Sequence, residues 1–244
     1  MKFPFLENNE LILIDYIPGS SGQLLLRLWS ELDSKMNYDN NKILLSSNTI
    51  TPHKASREIE YDILIPKRIT NWFLDKCKPD NVYDYVQFFE FLGTHLVAVS
   101  SRWVRGSTAQ KFYDGNDYTM ENKRILYGIH SWNDIIPFNE MQKLGYNVRC
   151  ISIVPNTEHG RDYQYKRGQA CYPCPEESIR PYLTTFNEKE ADEKIDFCTM
   201  LVNKDTLAIL SWLELMIGPT FRKEKEEFVK MLLNLYYKEI VDNV

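Results

Sequence analysis

Two rhythms of apolar positions alternate along the chain. Residues 11–16 carry Leu, Ile, Leu and Ile before Asp15 and Tyr16, the near-continuous apolar run of a strand covered on both faces. Residues 124–130 (RILYGIH) and 148–154 (VRCISIV) repeat that signature, and 93–101 (GTHLVAVSS), with His95 inside it, reads as a further strand. Between them the spacing turns helical. Leu24, Leu25, Leu28 and Leu32 mark one face of a helix over 22–34. Further helices are predicted over 82–92, over 131–144 (ended by Gly145) and over 207–217 (ended by Gly218 and Pro219). Residues 157–167 open another, 168–175 read as a tight loop, and 188–196 begin a charged amphipathic helix. The last helix, 221–241, has Phe228, Met231, Leu232, Leu235 and Ile240 at core-like spacing.

Strands alternating with helices predict an α/β fold: three layers, a central mostly parallel sheet and a helical C-terminus. The 244 residues suit a single domain. An irregular stretch over 47–82, containing Pro52, reads as an inserted or lid segment, and 188–244 as a helical C-terminal extension. There is no internal repeat. The long last helix suits either a core layer or an interface between copies of the chain.

Composition narrows the partners. The formal net charge is -5 and no long basic run occurs, which argues against nucleic acid. Local basic patches still suit an anionic small molecule. The first residues, MKFPFLENNE, lack the features of a signal peptide, and no stretch approaches the length of an apolar membrane span. Five cysteines, widely spaced apart from one pair, fit a reducing, cytoplasmic setting.

The chemistry gathers at strand ends, where ligands of parallel α/β folds bind. The strand, loop and helix around residues 18–23 set backbone amides at a helix start, a site suited to anions. Gly19, Ser20, Ser21, Gly22, Gln23 and Leu24 would contribute amides, and Ser20, Ser21 and Gln23 side-chain donors. The full phosphate-loop pattern ends in Gly-Lys-Ser/Thr, and this loop has no lysine. The competing reading is an ordinary turn built of turn formers. His130, ending its strand, has an intrinsic pKa suited to general-base work, against a plain role as a hydrogen-bonded residue at the core edge.

Arg102 and Arg105 flank Trp103, a set that suits a phosphate and a base, or else a solvent-facing bend. Arg161 and Arg167 follow the third strand, and His159 falls on an exposed loop or a first helical turn. Cys171 and Cys174 form one CxxC pair, too few ligands for a tetrahedral zinc, so no metal site is predicted. Glu31, Asp33 and Glu90 read as ordinary helix-face acids.

Three segments carry a family resemblance: Tyr16-Ile17-Pro18-Gly19-Ser20-Ser21-Gly22-Gln23, Gly128-Ile129-His130 followed by Ile136-Pro137, and Pro155-Asn156. Together they resemble the sulfotransferase branch of the P-loop nucleotide-binding fold, over roughly residues 11–35 and 124–167. With Ser21-Gly22 in the family's Ser-Gly place, Ser20 takes the position of the phosphate-contacting lysine and Gln23 that of the Thr or Ser. His130 matches the family's catalytic base, and Gly128 stands where the family has a lysine. Pro155 stands for the strand-end arginine and Tyr163 for a serine on the following helix; Arg222-Lys223 is the nearest match to the C-terminal Arg-Lys-Gly.

The resemblance implies a nucleotide ligand, the sulfuryl donor 3′-phosphoadenosine 5′-phosphosulfate (PAPS), held by the 18–23 loop. Arg102, Arg105, Arg161 and Arg167 would supply charge to its 3′-phosphate, and His130 would deprotonate a hydroxyl acceptor. The missing lysine and strand-end arginine favour a second reading, a noncatalytic P-loop-like nucleotide-binding or interaction protein. A kinase would need a Mg²⁺ carboxylate at a strand end, and no strand end offers a clear one.

Overall fold

The computed structural model describes residues 3–17, 19–35, 81–95, 98–100, 124–130, 137–171 and 191–243. Among them lie five strands: β1 (Glu10–Tyr16), β2 (Ala98–Ser100), β3 (Arg124–His130), β4 (Val148–Ile153) and β5 (Glu193–Ile195). They form a parallel sheet in the order β2-β3-β1-β4-β5. The three full strands β3-β1-β4 make its centre, and the three-residue strands β2 and β5 flank them.

The helices are α1 (Pro4–Asn8), α2 (Gly22–Leu32), α3 (Val82–His95), α4 (Phe138–Lys143), α5 (Glu158–Cys171), α6 (Phe197–Val202), α7 (Thr206–Ile217) and α8 (Glu226–Glu239). The alternation of strand and helix expected from the sequence is therefore present, and the fold is α/β.

β1 is buried along nearly its whole length because it is the central strand. Successive side chains of a strand point to opposite faces. Ile12, Ile14 and Tyr16 join one hydrophobic core with Leu24, Leu25, Leu28, Trp29 and Leu32 of α2 and with residues of α6, α7 and α8. Leu11 and Leu13, on the other face, are equally buried. The four leucines expected to face the sheet from α2 are all buried, but it is Leu26 that meets β3, at Gly128, and Leu24 and Leu28 lie on the far side of the helix from it. Trp29 of the same helix stacks edge-on against Trp212 of α7, with centroids 5.9 Å apart.

Several expectations need correction. Within the strand read over 93–101, residues 93–95 belong to α3, which continues through His95, and among the described residues Ala98–Ser100 pair with β3. Residues 168–171 extend α5 instead of forming a loop. The charged helix expected to start within 188–196 gives way to β5, because Glu193–Ile195 pairs in parallel with Ile151–Ile153. The C-terminal part of the chain therefore supplies a sheet strand as well as helices.

The last helix begins at Glu226, after a short 3-10 turn over Lys223–Lys225; Leu232 and Ile240 are buried and Phe228 packs on the core as expected, but two of the expected core positions are not. Met231 and Leu235 are exposed, whereas Val229, Leu232, Leu233, Tyr236 and Tyr237 are buried. Glu31 pairs with Arg27 at 2.6 Å, and Glu90 accepts a hydrogen bond from the Leu6 amide at 2.9 Å. Asp33 is fully buried and ion-paired to Arg124, so it too is no surface acid.

Asp33 anchors a polar network at the amino end of the sheet. Arg124 starts β3 and also binds Glu10 at the start of β1, at 2.7 Å. Trp29 Nε1 donates to Asp33 at 3.2 Å, and the Thr220 hydroxyl donates to it at 2.8 Å. The network fixes the ends of β1, β3 and α2 against one another. The segment 47–80, Arg102, Arg105 and Cys174 lie outside the described residues. Among the described residues no helix is long and apolar enough to cross a membrane.

Candidate functional site

The loop leaving β1 turns sharply into α2, and its glycines are placed by packing. Gly19 has φ +89°, a region open to glycine. A Cβ there would also meet the main chain of α5 at the Gln164 carbonyl and at Gly168 N. The loop thus lies directly against α5, the helix that follows β4. Gly22, the first residue of α2, makes room for the ring of Tyr16. Gly128 of β3 does the same from the other side, since a Cβ on it would stand 3.0 Å from Tyr16 Cε1 and 2.8 Å from Leu26 Cδ1. The glycine at 128 therefore has a packing cause.

The two loop serines differ. Ser20 is fully buried, and its hydroxyl donates to the Ile17 carbonyl at 2.6 Å, where its own amide also points at 3.2 Å. Its carbonyl faces the Cys198 thiol at 3.8 Å, and burial pushes that thiol's pKa far up. Ser21, the N-cap of α2, sits in the left-handed region at φ 61° and ψ 27°, and its side chain makes no capping bond. The start of α2 therefore keeps its first amides clear of the N-cap side chain.

The Ser21 hydroxyl instead faces two phenols. Its Oγ lies 2.6 Å from the Tyr236 hydroxyl of α8 and 3.1 Å from the Tyr163 hydroxyl of α5, and the two phenols are 3.0 Å apart. Arg167 Nε donates to Tyr236 at 3.1 Å, and its guanidinium lies 5.6 Å from the centre of that ring. Burial, with Tyr236 second, holds the Tyr163 pKa well above its ordinary range, while Arg167 and the Ser21 bond act the other way. The cluster is neutral apart from the one guanidinium.

The sequence-predicted residues divide accordingly. Gly19, Ser20, Ser21, Gly22 and Leu24 form the turn and first helical residues, with the Leu24 side chain in the core. Arg167 reaches the cluster. Arg161 is exposed, and its guanidinium donates to the Asn156 carbonyl at 3.3 Å. His159 is exposed in the first turn of α5. Of Gln23 and His130 only the backbone is described, and His130 pairs in register with Tyr16. Sequence reasoning passed over Tyr236, which looks like any core aromatic of an amphipathic helix. Tyr163 entered only as a departure from a family serine. Among the described residues no group of three or more His, Cys, Asp or Glu could hold a metal ion.

Comparison of the chain with protein-family models, curated proteins and solved structures finds no match.

Proposed function

We propose that this chain is a three-layer, P-loop-like protein that binds a phosphorylated nucleotide over the β1–α2 loop, with sulfuryl transfer from PAPS to a hydroxyl acceptor as its reaction. One observation carries the reading. The parallel register pairs Tyr16 with His130, so the strand end that feeds the loop and the strand end that bears the histidine reach the same edge of the sheet. The strand order adds support. β2, which follows β1 in sequence, lies on one side of it, while β5, which follows β4, lies on the other. Connections that part in this way open a crevice at the carboxyl ends of the strands, the usual ligand position of such sheets.

The residues present suit an anion. The uncapped start of α2 offers amides and the positive end of a helix dipole, and Arg167 brings a guanidinium to the hydroxyls beside the loop. In this reading His130 takes the proton of the acceptor hydroxyl as its oxygen attacks sulfur in line and the bond to the nucleotide phosphate breaks. Arg102, Arg105, Arg161 and Arg167 are the candidates for the 3′-phosphate.

A second reading keeps the nucleotide and drops the chemistry. Ser20, at the lysine position, has its hydroxyl turned onto Ile17, and Gly128 leaves its space to Tyr16. Two cations that would offset transition-state charge are thus replaced by packing residues.

Calorimetric titration with adenosine 3′,5′-bisphosphate, against AMP, tests both. The proposal expects binding that needs the 3′-phosphate and weakens in Arg167→Gln. It also expects His130→Ala to bind normally and to lose transfer to a phenolic acceptor. Binding without transfer in the native protein selects the second reading, and no binding of either nucleotide overturns both.

A further inference from the structure

Ser21 occupies a conformation that a glycine would take without steric cost, yet it is a serine. Its hydroxyl supplies the reason: it touches one helix that follows β4 and another near the end of the chain, 215 residues away. The shorter of the two contacts is to Tyr236, whose ring and hydroxyl also meet the Arg167 guanidinium and whose side chain is fully buried. The dihedral angles of Ser21 set the direction in which the first amides of α2 point, since Gly22 follows it directly.

We propose that Tyr236 is a positioning residue for the β1–α2 loop. It holds Ser21 in the left-handed conformation and so ties the geometry at the start of α2 to the docking of α8. The device operates whether or not the loop binds a nucleotide. Where the loop does bind one, ligand binding and docking of the last helix stabilise each other, because coupling between two equilibria is reciprocal.

The neighbouring residue provides a control. Tyr237, on the same helix, spends its hydroxyl on Thr206 at the start of α7, at 3.0 Å. It is buried like Tyr236 but has its hydrogen-bond partner on α7.

Hydrogen exchange followed by mass spectrometry on the full chain tests the coupling without any ligand. The peptide spanning 17–26 contains the Ser20 amide, bonded to the Ile17 carbonyl, and the Leu25 amide, bonded to the Ser21 carbonyl. In Tyr236→Phe these amides are expected to exchange about 5- to 30-fold faster, the span that one or two lost hydrogen bonds give. The change should stay in that peptide, leave β1 and α7 as they were, and be absent in Tyr237→Phe. In a Ser21→Gly background Tyr236→Phe should add nothing. The proposal is overturned if the loop exchanges as in the native protein, if Tyr237→Phe accelerates it equally, if acceleration is uniform over the chain, or if the effects of Ser21→Gly and Tyr236→Phe add.

Discussion

The ring of Tyr16 fills the space that a side chain on Gly22 would need. Tyr16 ends β1 and Gly22 begins α2, so the turn between them is closed over an aromatic ring. A methyl group on Gly22 meets the ring at Cγ, Cδ1 and Cδ2, next to its attachment, which cannot swing aside as a chain end can. Gly22→Ala is expected to cost about 1–3 kcal/mol of stability by overpacking. Chemical denaturation measures it. In a Tyr16→Ala background, which removes the ring atoms the methyl meets, it should cost less, since residues in contact are coupled.

Asp33 and Arg124 are an ion pair withdrawn from water at the opposite end of the sheet. Removing one partner leaves the other charge buried. Asp33→Ala is therefore expected to lose about 3–5 kcal/mol. Because the two side chains are in contact, the double variant Asp33→Ala with Arg124→Ala should be more stable than the sum of the two single losses implies. Urea midpoints of the four proteins decide this.

Alkaline pH should unfold the protein partly through Tyr163. Its folded-state pKa lies well above the ordinary value near 10.0, chiefly through burial. The unfolded chain releases this proton near pH 10.0 while the folded chain keeps it, so stability falls as pH rises through that value. Tyr163→Phe should remove that share of the decline. Stability curves from about pH 8 to about pH 11 would be flatter for the variant than for the native protein.

Cys198 should resist modification. It is fully buried beneath the loop, and burial raises its thiol pKa far above that of a free cysteine. Thiolates react and thiols do not. Alkylation of the native protein at neutral pH, read peptide by peptide, should leave Cys198 unlabelled until denaturant is added. Rapid native labelling would show that α6 opens from the loop.

The legible parts of the fold were those with their own periodicity. The apolar runs of β1, β3 and β4 and the leucine face of α2 came directly from residue order. β5 did not, because Glu193-Lys194-Ile195 is too short and too charged to show an alternation; its strand state comes from pairing with β4. Asp33 looked like a surface acid because a helix pattern says nothing of an arginine 91 positions away. The buried face of α8 was read only in part for a similar reason: Tyr236 and Tyr237 serve partners on the loop and on α7, while Met231 and Leu235 remain outside. At the site, the loop was found through its glycines and serines. The hydroxyl cluster was not, since Ser21, Tyr163 and Tyr236 come from three distant segments.

The central claim is that the β1–α2 loop receives a phosphorylated nucleotide, and amide chemical shifts read it residue by residue. Nitrogen-15-labelled protein would be titrated with adenosine 3′,5′-bisphosphate. The account predicts shift changes concentrated at Gly19, Ser21, Gly22, Gln23 and Leu24, with His130 at the neighbouring strand end responding as well. Unchanged loop amides at saturating nucleotide, or changes confined to the amino end of the sheet around Glu10 and Asp33, would contradict it.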